Sequence, residues 1–322
     1  MTLAETEQLR EKQQTEIDIS KTIESRRSFG QFATPAQLAN EIAVTTIPYL
    51  HKKSLDILEP STGTGSFVSA FLRHAGERVT RITAIELDPD LFTAGTRLWS
   101  SFPVDYRNVD FTTAEPNALF DLVVANPPYV RHHVLEAERK RQLQRAVFSE
   151  TGKWISGLAG LYCYFLLLSL KWMMQGALGV WLIPSEWMSV NYGEAIRSFF
   201  IKSVRLLKVH KFDASDVRFS DALVSSSVIW FRKDSPGGSA DFMRGISLQT
   251  PDFSKTIPVA HLGSKGKWLP PVASGASSAN AQLKDFFTIR RGIATGDNTF
   301  LCCPKPKRMS AISPPNISSR FF

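Results

Sequence analysis

Cysteine is scarce in this sequence of 322 residues: Cys163, Cys302 and Cys303 are the only three, and none stands in a C-x-x-C arrangement. That excludes a disulfide framework and a structural zinc site, so a reduced, cytoplasmic protein without a metal is expected. Long apolar runs are missing as well. Leu158 to Leu170 is nearly all apolar, but Lys171 and Gln175 interrupt it well short of the roughly 18 to 20 residues that a membrane span needs, which makes it a buried helix. The first thirty residues carry six acids and no apolar run, unlike a secretory signal. What the chain does have is core-forming material: 43% hydrophobic and 21% charged residues exclude a disordered protein and allow one large domain or two ordinary ones.

The net charge of +8 is unevenly spread. From Lys202 to Arg320 there are 18 Lys and Arg against 8 Asp and Glu, whereas residues 1 to 199 hold 20 against 22. A near-neutral body followed by a basic segment suits a protein that meets a polyanion, and it equally suits a solvated basic surface.

Residues 2 to 27 are polar and free of Pro and Gly, the pattern of an exposed helical arm (1–29) ending near Gly30. Thr34 and Pro35 then read as an N-cap and a first-turn proline opening a helix to about Tyr49. Short apolar runs follow at Leu55–Glu59, Arg81–Leu87, Val104–Asp110, Asp121–Ala125, Ala177–Ile183, Val204–Phe212 and Leu223–Arg232, with helical stretches at 66–75, 89–100, 157–175 and 192–203. This alternation predicts an α/β fold: a doubly wound, mostly parallel, seven-stranded sheet over 30–234. Ser235-Pro236-Gly237-Gly238-Ser239 and the small-residue stretch Ala273 to Ala281 mark 235–285 as linker and connecting segment. An ordered pattern resumes at Phe286, and 286–322 reads as the beginning of a second domain.

The first strand ends in Glu59-Pro60-Ser61-Thr62-Gly63-Thr64-Gly65-Ser66-Phe67, a glycine turn opening a helix, where open α/β sheets bind ligands. The turn has neither the G-x-G-x-x-G spacing of pyrophosphate binders nor the G-x-x-x-x-G-K-S of triphosphate binders. Glu86, closing the second strand before Leu87, is placed to accept from both hydroxyls of a ribose. A glycine turn and a ribose acid without a phosphate cradle point to S-adenosylmethionine rather than NAD, although a structural turn and a surface acid leave a similar pattern. The sharper signal ends the fourth strand, at Asn126-Pro127-Pro128-Tyr129. Two prolines fix this turn and remove two donors. The Asn126 side chain and the Pro127 carbonyl can then hold both hydrogens of a planar exocyclic amine, whose delocalised lone pair is otherwise a poor nucleophile, while Tyr129 stacks on its ring.

In these motifs the chain resembles the gamma-class, TaqI-type DNA adenine-N6 methyltransferases of restriction–modification systems, from about Gly30 to Phe300 and in that family's motif order. The resemblance implies that Phe32-Ala33-Thr34-Pro35 contacts the methionine part of the cofactor, that Glu59, Gly63, Gly65 and Phe67 are its glycine-loop positions, and that Asp110-Phe111 meets its adenine. It makes Asn126 to Tyr129 the catalytic tetrapeptide and Gly160 to Phe165 the helix that closes one side of the pocket. Phe219 falls where the family has a second aromatic against an extruded adenine, and Arg291 to Asn298 resembles the opening of a target-recognition domain. The implied partner is double-stranded DNA, with base flipping. Because the chain stops at Phe322, most of the recognition domain is expected to be missing or separate. RNA adenine and protein-glutamine methyltransferases share the tetrapeptide, and a fragment that binds cofactor or DNA without turnover is a further alternative. His132-His133 read as a phosphate contact or a solvated loop, Arg139-Lys140-Arg141 with Arg145 as a DNA face or a charged helix face, and Trp172, Trp181 and Trp187 as core.

Overall fold

The computed structural model describes residues 1–212 and 225–268. Eight helices occur among them: α1 (Leu3–Ser20), α2 (Ile23–Phe29), α3 (Ala36–Thr46), α4 (Ser66–Ala75), α5 (Pro89–Leu98), α6 (Ala137–Thr151), α7 (Leu161–Leu168) and α8 (Glu194–Lys202). The strands are β1 (Leu55–Glu59), β2 (Val79–Ile85), β3 (Val104–Arg107), β4 (Phe120–Ala125), β5 (Met173–Pro184), β6 (Arg205–Lys211), β7 (Ser226–Arg232), β8 (Ser239–Arg244) and β9 (Phe253–Pro258). They form one sheet in the order β3-β2-β1-β4-β5-β7-β6-β8-β9. The run from β3 to β5 is parallel throughout, and β7 is antiparallel to both of its neighbours.

Period-two alternation of side chains builds a core on each face of the sheet. Ile57, Leu122, Val124, Val180 and Leu182 face α3 and α4, where Leu38, Ile42, Phe67 and Phe71 meet them. Leu58, Val123, Ala125, Trp181 and Ile183 face the opposite way, toward α7 and α8, with Phe165, Ile196, Phe199 and Phe200. Helices on both faces of a largely parallel sheet make the expected doubly wound α/β architecture. Trp172, Trp181 and Trp187 are fully buried. The apolar stretch after Leu158 becomes α7, buried from Tyr162 to Leu168, and no helix among the described residues is long and apolar enough to cross a membrane.

Four expectations are corrected. The sheet has nine strands, not seven: β8 pairs parallel with β6, and β9 antiparallel with β8, inside the segment read as a linker. In β8 only Ala240 and Phe242 alternate into the core, a short signal behind a glycine-rich opening. The predicted helix 157–175 is shorter, because the chain passes through a 3-10 turn at Ser169–Trp172 and enters β5 at Met173. Thr34 is not the cap of α3: Pro35 holds that place, without a side-chain cap. Finally, α1 is no exposed arm, since Thr6, Glu7 and Arg10 are buried beneath it. Position 219, the stretch 286–322 and Cys302 and Cys303 lie outside the described residues.

Candidate cofactor and amine site

The strand order reverses at β1, which has β2 on one side and β4 on the other, opening a crevice at the carboxyl ends of these strands. Register brings the motif residues to that edge. Glu59 pairs with Ala84 two positions before Glu86, and Leu58 pairs with Val123 three positions before Asn126. A cavity of about 530 Å³ lies there, within the size range of small-molecule sites. Thr34, Glu59, Pro60, Gly63, Glu86, Leu87, Asp110, Phe111, Asn126 and Pro128 all border it.

Gly65 shapes the turn without bordering the cavity. Its φ is +98°, and a Cβ there would sit 2.5 Å from Trp99 Nε1 and 2.9 Å from the Tyr106 hydroxyl. Trp99 Nε1 in turn donates to the Thr64 carbonyl (2.8 Å), so the turn is held from beneath. The Glu86 carboxylate accepts from the backbone N–H of Gly63 (2.7 Å) at one oxygen and of Asp88 (2.8 Å) at the other. Each oxygen keeps a further lone pair, so the carboxylate can still receive two hydroxyl donors. Burial raises its pKa, and the two N–H bonds oppose that rise. Burial, reinforced by the charge of Glu86, lifts Glu59 well above the usual carboxylate range, against the pull of Arg10.

Asn126 is oriented by two donations from Nδ2, to the Phe32 carbonyl (2.9 Å) and to Thr34 Oγ1 (3.0 Å). These fix which end of the amide is oxygen. Oδ1 is left a buried acceptor without a partner, in a side chain that borders the cavity. Unpaired buried acceptors are rare in folded proteins and mark a place where a ligand donor fits. The Asn126 carbonyl accepts from Ser61 Oγ (3.0 Å), and the Tyr129 N–H donates to the Gly30 carbonyl (3.1 Å). Gly30 has a φ of +64°, and a Cβ would lie 2.4 Å from Tyr129 N, so this close approach requires glycine. The Tyr129 ring lies 5.8 Å from that of Phe32, and its hydroxyl donates to the Leu182 carbonyl (3.1 Å). Burial keeps that phenol protonated.

Several expected site residues stand elsewhere. Phe67 is packed into the core with α3, because the first turn of α4 directs it at the sheet. Pro35 starts α3, and neither it nor Pro127 nor Tyr129 borders the cavity. Asp110 does border it, but its carboxylate is already engaged: Oδ1 accepts from Thr112 N (2.8 Å) and Thr112 Oγ1 (2.6 Å), and Oδ2 is ion-paired with Arg139. Arg139 thus turns into the cavity wall rather than along a DNA face, while Arg141 pairs with Glu138. Arg145 and His133 are exposed. Sequence reasoning missed Gln14 and Asp18 of α1 and Lys21 just after it, which also line the cavity. Their i, i+4, i+7 spacing is a signal, but a solvated polar stripe has the same one. Among the described residues no group of three His, Cys, Asp or Glu side chains is placed to hold a metal ion.

Residues 84–218 match the family model described as Eco57I restriction-modification methylase. The type II methyltransferase M.AccI of Acinetobacter calcoaceticus is 29% identical over 305 residues, covering 88% of this chain and 55% of the relative. The chain spans about half the length of the curated relatives it first matches. Among solved structures, a Listeria monocytogenes protein described as a class I S-adenosylmethionine-dependent methyltransferase superposes with a TM-score of 0.56 at 15% identity, over 67% of each chain. The methyltransferase subunit of a type I restriction-modification system from Streptococcus thermophilus gives 0.56 at 18% identity, over 66% of this chain and 47% of that one. In sequence the chain is similar to restriction-modification methyltransferases, and its fold is like that of the class I S-adenosylmethionine-dependent methyltransferases on which it superposes.

Proposed function

We propose that this chain carries the catalytic part of a gamma-class DNA methyltransferase, which moves a methyl group from S-adenosylmethionine to the N6 amine of an adenine rotated out of double-stranded DNA, as the modification activity of a restriction-modification system. The observation that carries the reading is the unpartnered, rigidly oriented Oδ1 of Asn126, in a side chain that borders the cavity. The remaining wall fits the cofactor. Glu86 offers two free lone pairs for ribose hydroxyls, and Asp110 and Phe111, expected to meet the adenine, border the cavity together with Glu59 and with Thr34, expected to meet the methionine part. When bound, S-adenosylmethionine supplies an electrophilic methyl on a sulfonium.

The residues of the chain prepare the amine. Asn126 Oδ1 accepts one N–H of the target amine and the Pro127 carbonyl the other, which favours the pyramidal nitrogen whose lone pair is exposed. Methylation makes the nitrogen acidic, so a proton passes out along one of these bonds to water, and neither acceptor needs to be a strong base. The rest is orientation. Tyr129, braced by Leu182 and Phe32, presents a ring against which the adenine can stack. Extruding a base costs a few kcal/mol, and aromatic stacking can return about 1 to 3 kcal/mol per contact. Phe219, outside the described residues, is proposed as the second such ring.

Mass spectrometry of nucleosides from DNA and RNA, and of peptides, from cells expressing the chain tests this reading. N6-methyladenine in DNA that disappears with Asn126→Ala is expected. Methylation confined to RNA or to protein glutamine, or none at all, overturns it.

A further inference from the structure

Helix α1 has five apolar residues in eighteen, Leu3, Ala4, Leu9, Ile17 and Ile19, and the last of these is exposed. Half-buried Leu3 and Leu9 pack against the core, but the residues that α1 buries fully are polar, and their contacts converge on the glycine turn. Arg10, 2% exposed, is clamped by Glu7 (2.6 and 2.8 Å), and its Nη1 donates to Thr64 Oγ1 (3.3 Å). Thr64 Oγ1 donates to Gln14 Oε1 (2.8 Å), and Gln14 Nε2 donates to Asp18 Oδ1 (3.1 Å). One turn on, Lys21 is ion-paired with Asp88, which also accepts from Gln31 Nε2 (2.8 Å). Asp88 is the residue whose N–H holds Glu86. Burial raises the Asp88 carboxyl, but these hydrogen bonds outweigh it and hold it below its ordinary value. Gln14, Ile17 and Asp18, on one helical face, and Lys21 just after the helix form part of the cavity wall.

We infer that α1 is the cofactor-retaining wall of the site, that Arg10 is the positioning residue that fastens it to the glycine turn, and that detachment of α1 sets the rate at which the nucleoside cofactor leaves. The inference rests on the S-adenosylmethionine reading above. A helix held by hydrogen bonds of modest net strength can come away without disturbing the core beneath it, which a helix held by buried apolar area cannot. Arg10 does not itself border the cavity. It acts through Thr64 and through the positive charge it keeps beside the buried Glu59.

The test uses the full chain loaded with tritiated S-adenosylmethionine and chased with unlabelled cofactor. Arg10→Gln is expected to release the label about tenfold faster with little change in association rate, the effect of losing one charge-assisted bond. Arg10→Lys, which keeps the charge but loses the forked geometry, should fall between. In the wild type, amide exchange in residues 3–20 should slow when cofactor is added. A purely structural Arg10 would lower the melting temperature of the free protein and leave the release rate and the cofactor-dependent protection of α1 alone, and that result overturns the proposal. Lys21→Met, at the rim of the wall, gives the same readout should Arg10→Gln fail to fold, with several-fold faster release expected and wild-type release counting against the proposal. Wild-type protein that binds no S-adenosylmethionine sinks the functional reading and this inference together, whereas binding with unaltered release in the variants sinks the inference alone.

Discussion

Replacing Asn126 with alanine should separate function from stability at a single half-buried residue. The substitution removes two hydrogen bonds, to the Phe32 carbonyl and the Thr34 hydroxyl. At about 0.5 to 1.5 kcal/mol net each, their loss costs about 1 to 3 kcal/mol. It also removes the buried Oδ1 that has no partner, and relief of that desolvation returns about 1 to 3 kcal/mol. The opposing effects are of the same size, so the folding free energy should change by about 1 kcal/mol or less, although deletions of buried side chains commonly cost more. Binding of S-adenosylmethionine should stay nearly intact, because Asn126 acts on the amine. Methyl transfer should fall by about 10² or more, the scale seen when one preorganised polar group is removed from a reacting centre. Urea denaturation, cofactor calorimetry and N6-methyladenine formation measure the three quantities. A loss of stability beyond about 2 kcal/mol would show that Oδ1 is satisfied in the folded protein and that Asn126 is structural. Substantial residual turnover would refute the acceptor role even if the stability is as expected.

Glu86→Ala should weaken S-adenosylmethionine binding by tenfold to hundredfold, or roughly 1.5 to 3 kcal/mol, read by calorimetry; unchanged affinity removes this acid from the site. Burial raises the pKa of Glu86, so its carboxylate form is lost on acidification at a higher pH than for an ordinary glutamate. Cofactor affinity should therefore decline from neutral toward mildly acidic buffer, while any contribution of this group to folding stability runs the other way, present at low pH and lost as pH rises through the raised value. A pH profile that Glu86→Gln leaves unaltered would count against both statements. Gly65→Ala forces a side chain into a φ of +98° and within 2.5 Å of Trp99 Nε1, so a loss of about 1 to 3 kcal/mol or more is expected in thermal melts. A wild-type melting temperature would mean that the turn relaxes freely. Tyr129→Ala should reduce the fluorescence of 2-aminopurine at a normally paired target position more than at a mispaired one, and equal signals from wild type and variant would place the base pocket elsewhere.

The sequence determined the layered core by itself. Alternation in Leu122-Val123-Val124-Ala125 and Val180-Leu182 against Trp181-Ile183 assigns each side chain to one face, because the pleat has a period of two whatever the surroundings. It also placed Glu59, Glu86 and Asn126 at one edge, since strands of known direction end where their apolar runs end. Tertiary structure decided what has no periodic signature. β8 pairs onto β6, and β9 onto β8, from a stretch whose Ser-Pro-Gly-Gly-Ser opening reads as a linker, and in β8 only Ala240 and Phe242 alternate into the core, too short a period to stand out. The ion pair of Arg139 with Asp110 depends on where α6 lies over the ends of the strands, so a basic cluster on a helix conceals which member turns inward. The polar helix α1 shows the same limit: Leu3 and Leu9 alone pack on the core, and the contacts of Arg10 and Gln14 with Thr64, and of Lys21 just after the helix with Asp88, reveal that one polar face lines the cavity.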